Sequence, residues 1–305
     1  MSTASHSGVA RGALAAGVSF FLWGLWPLYW RELQSVSSFE LIAHRIVWSL
    51  LLLLVIMLVQ RTLPQLRAAL TTGTILGASL LSGILLATNW TIYVWAVNNG
   101  HVIDSSLGYF LTPLCNVALG FIFLHERLRP SQWTAVAFAV AGVTVLLLRA
   151  GHLPWIALSL ASSWSLYGIL KKKSSLGPIA GLTAETLLLF PLAAALLLWR
   201  VRSGDSGFEH AGIGLDALIL ASGVITTAPL LLFAYGARRI PLATLGLLQY
   251  IAPSVQFLLG LWVYHEPLDA VRMLACVLIW VGLVIYTADG FWSQRARFGP
   301  ATDAA

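Results

Sequence analysis

Three ionisable residues stand well inside apolar runs of the sequence. His44 and Arg45 lie in the run 39–59, and Glu185 lies in the run 179–199. A charge at the middle of a membrane helix costs roughly 2.5–3.5 kcal/mol on insertion scales, so such a group faces protein or water rather than lipid. Each sits a few residues from the start of its run, roughly 10 Å deep at a rise of 1.5 Å per residue. Two chemistries fit. Arg45 and Glu185 can hold a solute through charge-assisted hydrogen bonds, and Glu185 or His44 can carry a proton whose movement is coupled to a solute. The plainer alternatives are a polar pair that closes one side of a helix bundle and, for Arg45, a side chain that snorkels to the interface.

Amide and aromatic groups form a second set. Asn89, Trp90 and Tyr93 share one apolar run, Tyr109 and Asn116 the next, and Gln249, Tyr250 and Gln256 a later one. Such groups hydrogen-bond or stack on an uncharged or zwitterionic solute. The substrate-binding candidates are therefore Arg45, Asn89, Tyr93, Tyr109, Glu185, Gln249 and Tyr250. Buried amides also join helices to one another, and tryptophans such as Trp155 fit an interfacial aromatic belt. Pro27, Pro113, Pro229 and Pro253 lie inside runs and can kink a helix; Pro113 and Pro253 are the hinge candidates.

Other chemistries find no support. His125-Glu126 and His265-Glu266 would need a histidine at 129 or 269 to form a zinc-binding H-E-x-x-H, and those positions are Arg129 and Asp269. The two pairs read instead as helix ends, each glutamate placed to favour the positive N-terminus of the helix that follows. No G-x-x-x-x-G-K-[ST] run and no metal-ligand cluster is present, so no cofactor, metal or direct use of ATP is expected. Cys115 and Cys276 sit in apolar runs as small core residues. A membrane-embedded enzyme and a pore-type channel remain the alternative classes.

These groups are carried on a chain that is 58% hydrophobic and 10% charged over 305 residues. Soluble domains carry about 25% charged residues, so this surface faces lipid. The net charge of +6 does not point to nucleic acid, because no basic face or polar domain exists to carry one. Ten runs are long enough to span a bilayer as helices: 12–30, 39–59, 74–97, 102–124, 131–148, 153–170, 179–199, 213–236, 242–264 and 270–288. With the N-terminus in the cytoplasm, the inner segments hold Arg11, Arg61, Arg67, Arg127, Arg129, Lys171, Lys172, Lys173, Arg238, Arg239, Arg295 and Arg297. The outer segments hold only Arg31, Arg149, Arg200, Arg202 and Arg272. The bias places both termini inside.

The sequence also contains a copy of itself. L-x5-P-x5-L-G-x4-H-E-x-L-x6-A-x6-G runs from Leu107 to Gly142 and again from Leu247 to Gly282. The paired positions include Pro113/Pro253, Gly120/Gly260, Ala135/Ala275 and Gly142/Gly282. Weaker pairing extends to Ala43-His44 with Ala184-Glu185. Five spans per half is an odd number, so the halves, 12–148 and 153–288, enter the membrane from opposite sides. An all-α membrane fold of two inverted five-helix repeats around a central cavity follows, flanked by cytoplasmic tails 1–11 and 289–305. Inverted repeats give two nearly equivalent conformations, one open to each side. Ala135, Ala139 and Gly142 on the fifth span can pack closely on an adjacent helix or on a second copy, so a monomer and a weak homodimer both fit.

The runs AHRIVWSL (43–50), NWTIYVWAVNN (89–99), SSLGYFLTPLCNVALGFIFLHERL (105–128) and TLGLLQYIAPS (244–254) resemble the RarD branch of the EamA-type drug/metabolite transporters. The resemblance covers about Arg11 to Trp292. It implies a ten-helix bacterial inner-membrane protein that moves small metabolites such as amino acids, or drugs such as chloramphenicol, outward. The family repeat usually ends in a Gly-Glu step, where this chain has His125-Glu126 and His265-Glu266.

Overall fold

The computed structural model describes residues 3–99, 101–150, 154–208, 212–265 and 270–298. Among them every regular element is a helix: α1 (Thr3–Glu32), α2 (Ser38–Val59), α3 (Leu63–Thr71), α4 (Gly73–Asn98), α5 (Val102–Leu124), α6 (Pro130–Ala150), α7 (Trp155–Lys173), α8 (Pro178–Ser203), α9 (Ile213–Ala237), α10 (Leu242–Gln249), α11 (Ile251–Trp262) and α12 (Ala270–Phe298). Within the described residues nine stretches are long and apolar enough to cross a membrane, with α10 and α11 counted together as Leu242–Trp262.

The expected span 153–170 corresponds to α7, which is not among the nine. It carries Ser159, Ser162, Ser163 and Ser165 and ends in Lys171, Lys172 and Lys173. α7 packs against α4, α5 and α9 and buries Ala161, Ser165 and Tyr167. With most of its residues against protein, α7 needs an apolar exterior only on the stripe of Trp155, Leu158 and Leu166, which is why its mean hydropathy is low.

Three features differ from the expected spans. α3 fills the segment expected as a connection; at nine residues it is about 13 Å long and too short to cross. Pro64 starts it, where a missing N–H costs nothing, and Leu66 and Ala69, three apart, are its buried residues. The span 242–264 is broken at Tyr250 into α10 and α11. The expected tails are largely helical, since α1 begins at Thr3 and α12 runs to Phe298; residues 1–2 and 299–305 lie outside the described residues.

The helices pack in a consistent set of pairs. α2 lies against α8 and α9, α1 against α9 and α11, α4 against α7 and α8, and α5 against α7 and α10. α6 and α12 pack mainly on one another. Their contact is very close: a Cβ on Gly142 would stand 2.8 Å from the Ala275 carbonyl oxygen, and one on Gly282 would stand 2.7 Å from that of Ala135. The later glycine of each helix meets the earlier alanine of the other, as in an antiparallel pair. Backbones this close gain dispersion and weak C–H···O contacts that lipid cannot supply. Ala135 and Ala139 are thus buried, and the small-residue face of the fifth span is used within the chain.

His125 and His265 both adopt φ 52°, and His125 caps the end of α5 in the left-handed conformation. Glycine takes that conformation without steric cost, which explains the glycine usual in the family repeat.

Gly142→Ala and Gly282→Ala should each lower the thermal midpoint of the detergent-purified protein, since overpacking costs about 1–3 kcal/mol. Gly77→Ala should not, because a Cβ there meets open space.

Candidate functional site

A cavity of about 460 Å³ lies inside the bundle, within the size range of small-molecule sites. It extends to the end carrying the α1–α2 connection, where Gln34, Val36 and Ser38 line it together with Ser105 of α5. Its inner walls are Trp23 of α1, Thr112 of α5, Trp164 of α7, Leu230 of α9 and Gln249 of α10.

Arg45 of α2 lines this cavity and is 5% exposed. Its Nε donates to Thr226 Oγ1 at 2.8 Å. Three indole rings surround the guanidinium carbon, Trp90 at 4.4 Å, Trp26 at 4.8 Å and Trp30 at 5.2 Å. Cation–π contacts of this kind contribute about 0.5–2 kcal/mol each, so the rings offset part of the cost of burying the charge. Nη2 has no hydrogen-bond partner. The aromatic packing continues from Trp26 to Trp23 and on to Trp164 and Phe233.

Asn89, Tyr93, Tyr109 and Gln249 also line the cavity. Asn89 Nδ2 donates to the Leu160 carbonyl and to Ser163 Oγ, both at 2.9 Å, and Asn116 Nδ2 donates to Gln249 Oε1 at 3.2 Å. The Tyr93 and Tyr109 rings meet edge to face with centroids 5.9 Å apart. Pro113 lies within an uninterrupted α5, whereas the helix in the second copy breaks three residues before Pro253. Each proline lacks the N–H that would bond the carbonyl four residues earlier. Those carbonyls belong to Tyr109 and Gln249, so each proline relaxes the backbone of a residue on the cavity wall.

Tyr250 and Glu185, expected to bind substrate, and His44, expected as a candidate proton carrier, are not among the residues that line the cavity. Tyr250 is 0% exposed, packed with Leu247, Ala139 and Ile279, and its hydroxyl donates to the Phe110 carbonyl at 3.1 Å. Glu185, 2% exposed, pairs with Lys171 Nζ at 2.6 Å and accepts from the Tyr167 hydroxyl at 3.3 Å. His44 lies 3.8 Å from Glu40 and packs on Phe208. Glu40 ties the α8–α9 connection to α2, pairing with Arg200 at 3.4 Å and accepting from Ser206 Oγ and Gly207 N.

Opposite the cavity's open end, the bundle is filled. Phe20, Tyr167, Phe233, Ile240, Leu242 and Leu245 form a buried cluster there, beside the Lys171–Glu185 pair. Glu126 was expected to favour the N-terminus of the helix that follows it, α6. Instead its two carboxylate oxygens accept from Leu242 N at 2.8 Å and Ala243 N at 3.0 Å, capping α10 in the other half. Lys172 adds an ion pair to Glu126 at 3.5 Å and bonds the Ile240 carbonyl. Glu266, the matching glutamate, lies outside the described residues.

Sequence reasoning missed the tryptophan cage and Lys171. Thirteen tryptophans dilute any one of them among belt positions, and Lys171 reads as one of three lysines marking an inner loop. Trp155 is exposed at the start of α7.

The profile of the EamA-like transporter family matches residues 10–148 and again 154–288. The chain belongs to that family. Within it the RarD branch is shown by the relatives. An uncharacterized transporter, YojE, of Bacillus subtilis is 41% identical over 95% of this chain and 98% of its own. Protein RarD of Streptomyces exfoliatus is 41% identical over 93% of this chain and 90% of its own. A solved crystal structure 20% identical in sequence has the same fold, with a TM-score of 0.70 over 92% of this chain and 97% of that one. The family is one of membrane transporters, and the multi-pass helical bundle fits it.

Lys171→Met leaves Glu185 as an uncompensated buried charge and should sharply lower the yield of folded protein, since breaking a buried pair costs about 3–5 kcal/mol. The double change Lys171→Met/Glu185→Gln should recover much of that yield in size-exclusion profiles.

Proposed function

We propose that this protein is an inner-membrane secondary transporter that exports small metabolites such as amino acids, or drugs such as chloramphenicol, by alternating access between two inverted five-helix repeats. The observation that carries this reading is a cavity that reaches one end of the bundle and is filled at the other. A through-pore would need both ends open, and an enzyme would fall outside a transporter family.

Several features support ten spans in inverted halves. The family profile fits twice, and α7 completes the count as the sixth span. Exchanging the halves turns the α1–α9 pair into α7–α4, α2–α9 into α8–α4, and α1–α11 into α7–α5, all of which occur. It maps the crossed Gly142–Ala275 contact onto Gly282–Ala135. The placement of Lys and Arg supports both termini in the cytoplasm, an orientation in which the cavity reaches the outer side. The internal use of the small-residue face of α6 favours a monomer.

None of the described cavity-lining residues is Asp, Glu or His, and Glu185 is held by Lys171 away from the cavity. The described wall thus offers no proton-carrying carboxylate, which supports flux that is downhill and uncoupled from protons. Proteoliposome flux of a panel of amino acids and chloramphenicol tests this. The expected result is saturable counterflow of at least one solute, equal with and without a pH gradient. Folded protein with no saturable flux, or flux that requires the gradient, would contradict the reading.

A further inference from the structure

Arg45 is the one charged group among the described residues that line the cavity. Its Nε is committed to Thr226, and Nη2 has no partner. The carboxylate one turn earlier on α2, Glu40, is engaged by Arg200, Ser206 and Gly207. The indole faces of Trp26, Trp30 and Trp90 attract the cation, yet a ring face accepts none of the in-plane hydrogen bonds a guanidinium offers. The site therefore has a fixed positive charge and an unused donor at Nη2, with no acid among the described lining residues to oppose it.

We infer that the cavity selects solutes carrying a single carboxylate, held by the N–H edge of Arg45, with an apolar or aromatic body along Trp23 and Trp164. The inference rests on the carrier reading above and narrows its substrate class to carboxylates, which keeps amino acids and excludes the uncharged chloramphenicol. A carboxylate matches one guanidinium in charge and in its two-point geometry. A phosphate dianion would leave a net negative charge in an apolar wall, and a cation would meet only Arg45. Asn89 and Gln256 direct their amide nitrogens to the Leu160 and Trp23 carbonyls. Their amide oxygens are left to accept from an N–H or O–H on the solute body.

The test compares 3-phenylpropanoate with 3-phenylpropanamide, which share shape and differ in charge, by quenching of tryptophan fluorescence in the purified full-length protein. The wild type should bind the acid about tenfold or more tightly than the amide, the range of a charge-assisted hydrogen bond. Arg45→Gln should abolish the preference. Arg45→Lys should keep its direction with weaker binding, because an ammonium lacks the fork. Equal binding of the two by the wild type, failure to bind either, or a preference retained in folded Arg45→Gln would each overturn the inference. Should Arg45→Gln fail to fold, the wild-type comparison and Arg45→Lys decide. Equal binding beside saturable flux of other solutes would sink the carboxylate inference and leave the carrier standing. Acid preference without flux of any solute would uphold the inference and sink the carrier.

Discussion

A charge buried in an apolar bundle has to be compensated where it sits, and the interior of this protein is arranged by that constraint. Glu185 meets it with a cation and a hydroxyl, Lys171 and Tyr167. Glu40 meets it with Arg200 and the backbone of the α8–α9 connection. Arg45 meets it only in part, through Thr226 and three indole faces. The incomplete compensation coincides with the one of these three groups that faces the cavity. Fully paired charges hold helices together, and the partly paired one is left with hydrogen-bonding capacity for a solute.

The same contrast separates the two ends of the bundle. At the filled end Glu126, from the first half, caps α10 of the second. A cap satisfies backbone N–H groups that would otherwise be orphaned at a helix start, so this contact ties the first half to the second. Lys172 strengthens the link from α7. At the other end the corresponding space is the cavity. The two proline positions relax the backbone of Tyr109 and Gln249 between these ends, and the helix break at Tyr250 gives the second copy an added joint. The α6–α12 pair is joined by backbone contacts too close for a side chain at Gly142 or Gly282.

Much of this is legible in the sequence. Apolar runs located the long helices closely, because lipid imposes a length and a composition on each. The repeat marked Ala135, Gly142, Ala275 and Gly282, whose close packing demands small residues. Arg45, Asn89, Tyr93, Tyr109 and Gln249 were nominated as polar groups at depth, and they line the cavity. Glu185 looked the same in sequence, but its partner is Lys171, and nothing in a run of three lysines says which one turns inward. Tyr250 looked like a cavity residue in sequence, but its ring packs on Ala139 and Ile279, contacts made by the fold alone. The capping partner of Glu126 lies more than a hundred residues away in the chain, a contact created by the fold alone. The indole cage is likewise assembled from α1 and α4 around a residue of α2.

The central claim is that the cavity's access alternates between the two ends. Reaction of single cysteines with a membrane-impermeant maleimide tests it most directly, in a Cys115→Ser/Cys276→Ser background reconstituted in vesicles. Thr112→Cys lies on the inner cavity wall and Leu242→Cys lies in the filled end. Alternating access predicts that Thr112→Cys reacts from the side that the cavity reaches and Leu242→Cys from the opposite side. Addition of a transported solute should then change the two rates in opposite directions. Rates that rise together, or a Leu242→Cys that never reacts while flux proceeds, would contradict the account.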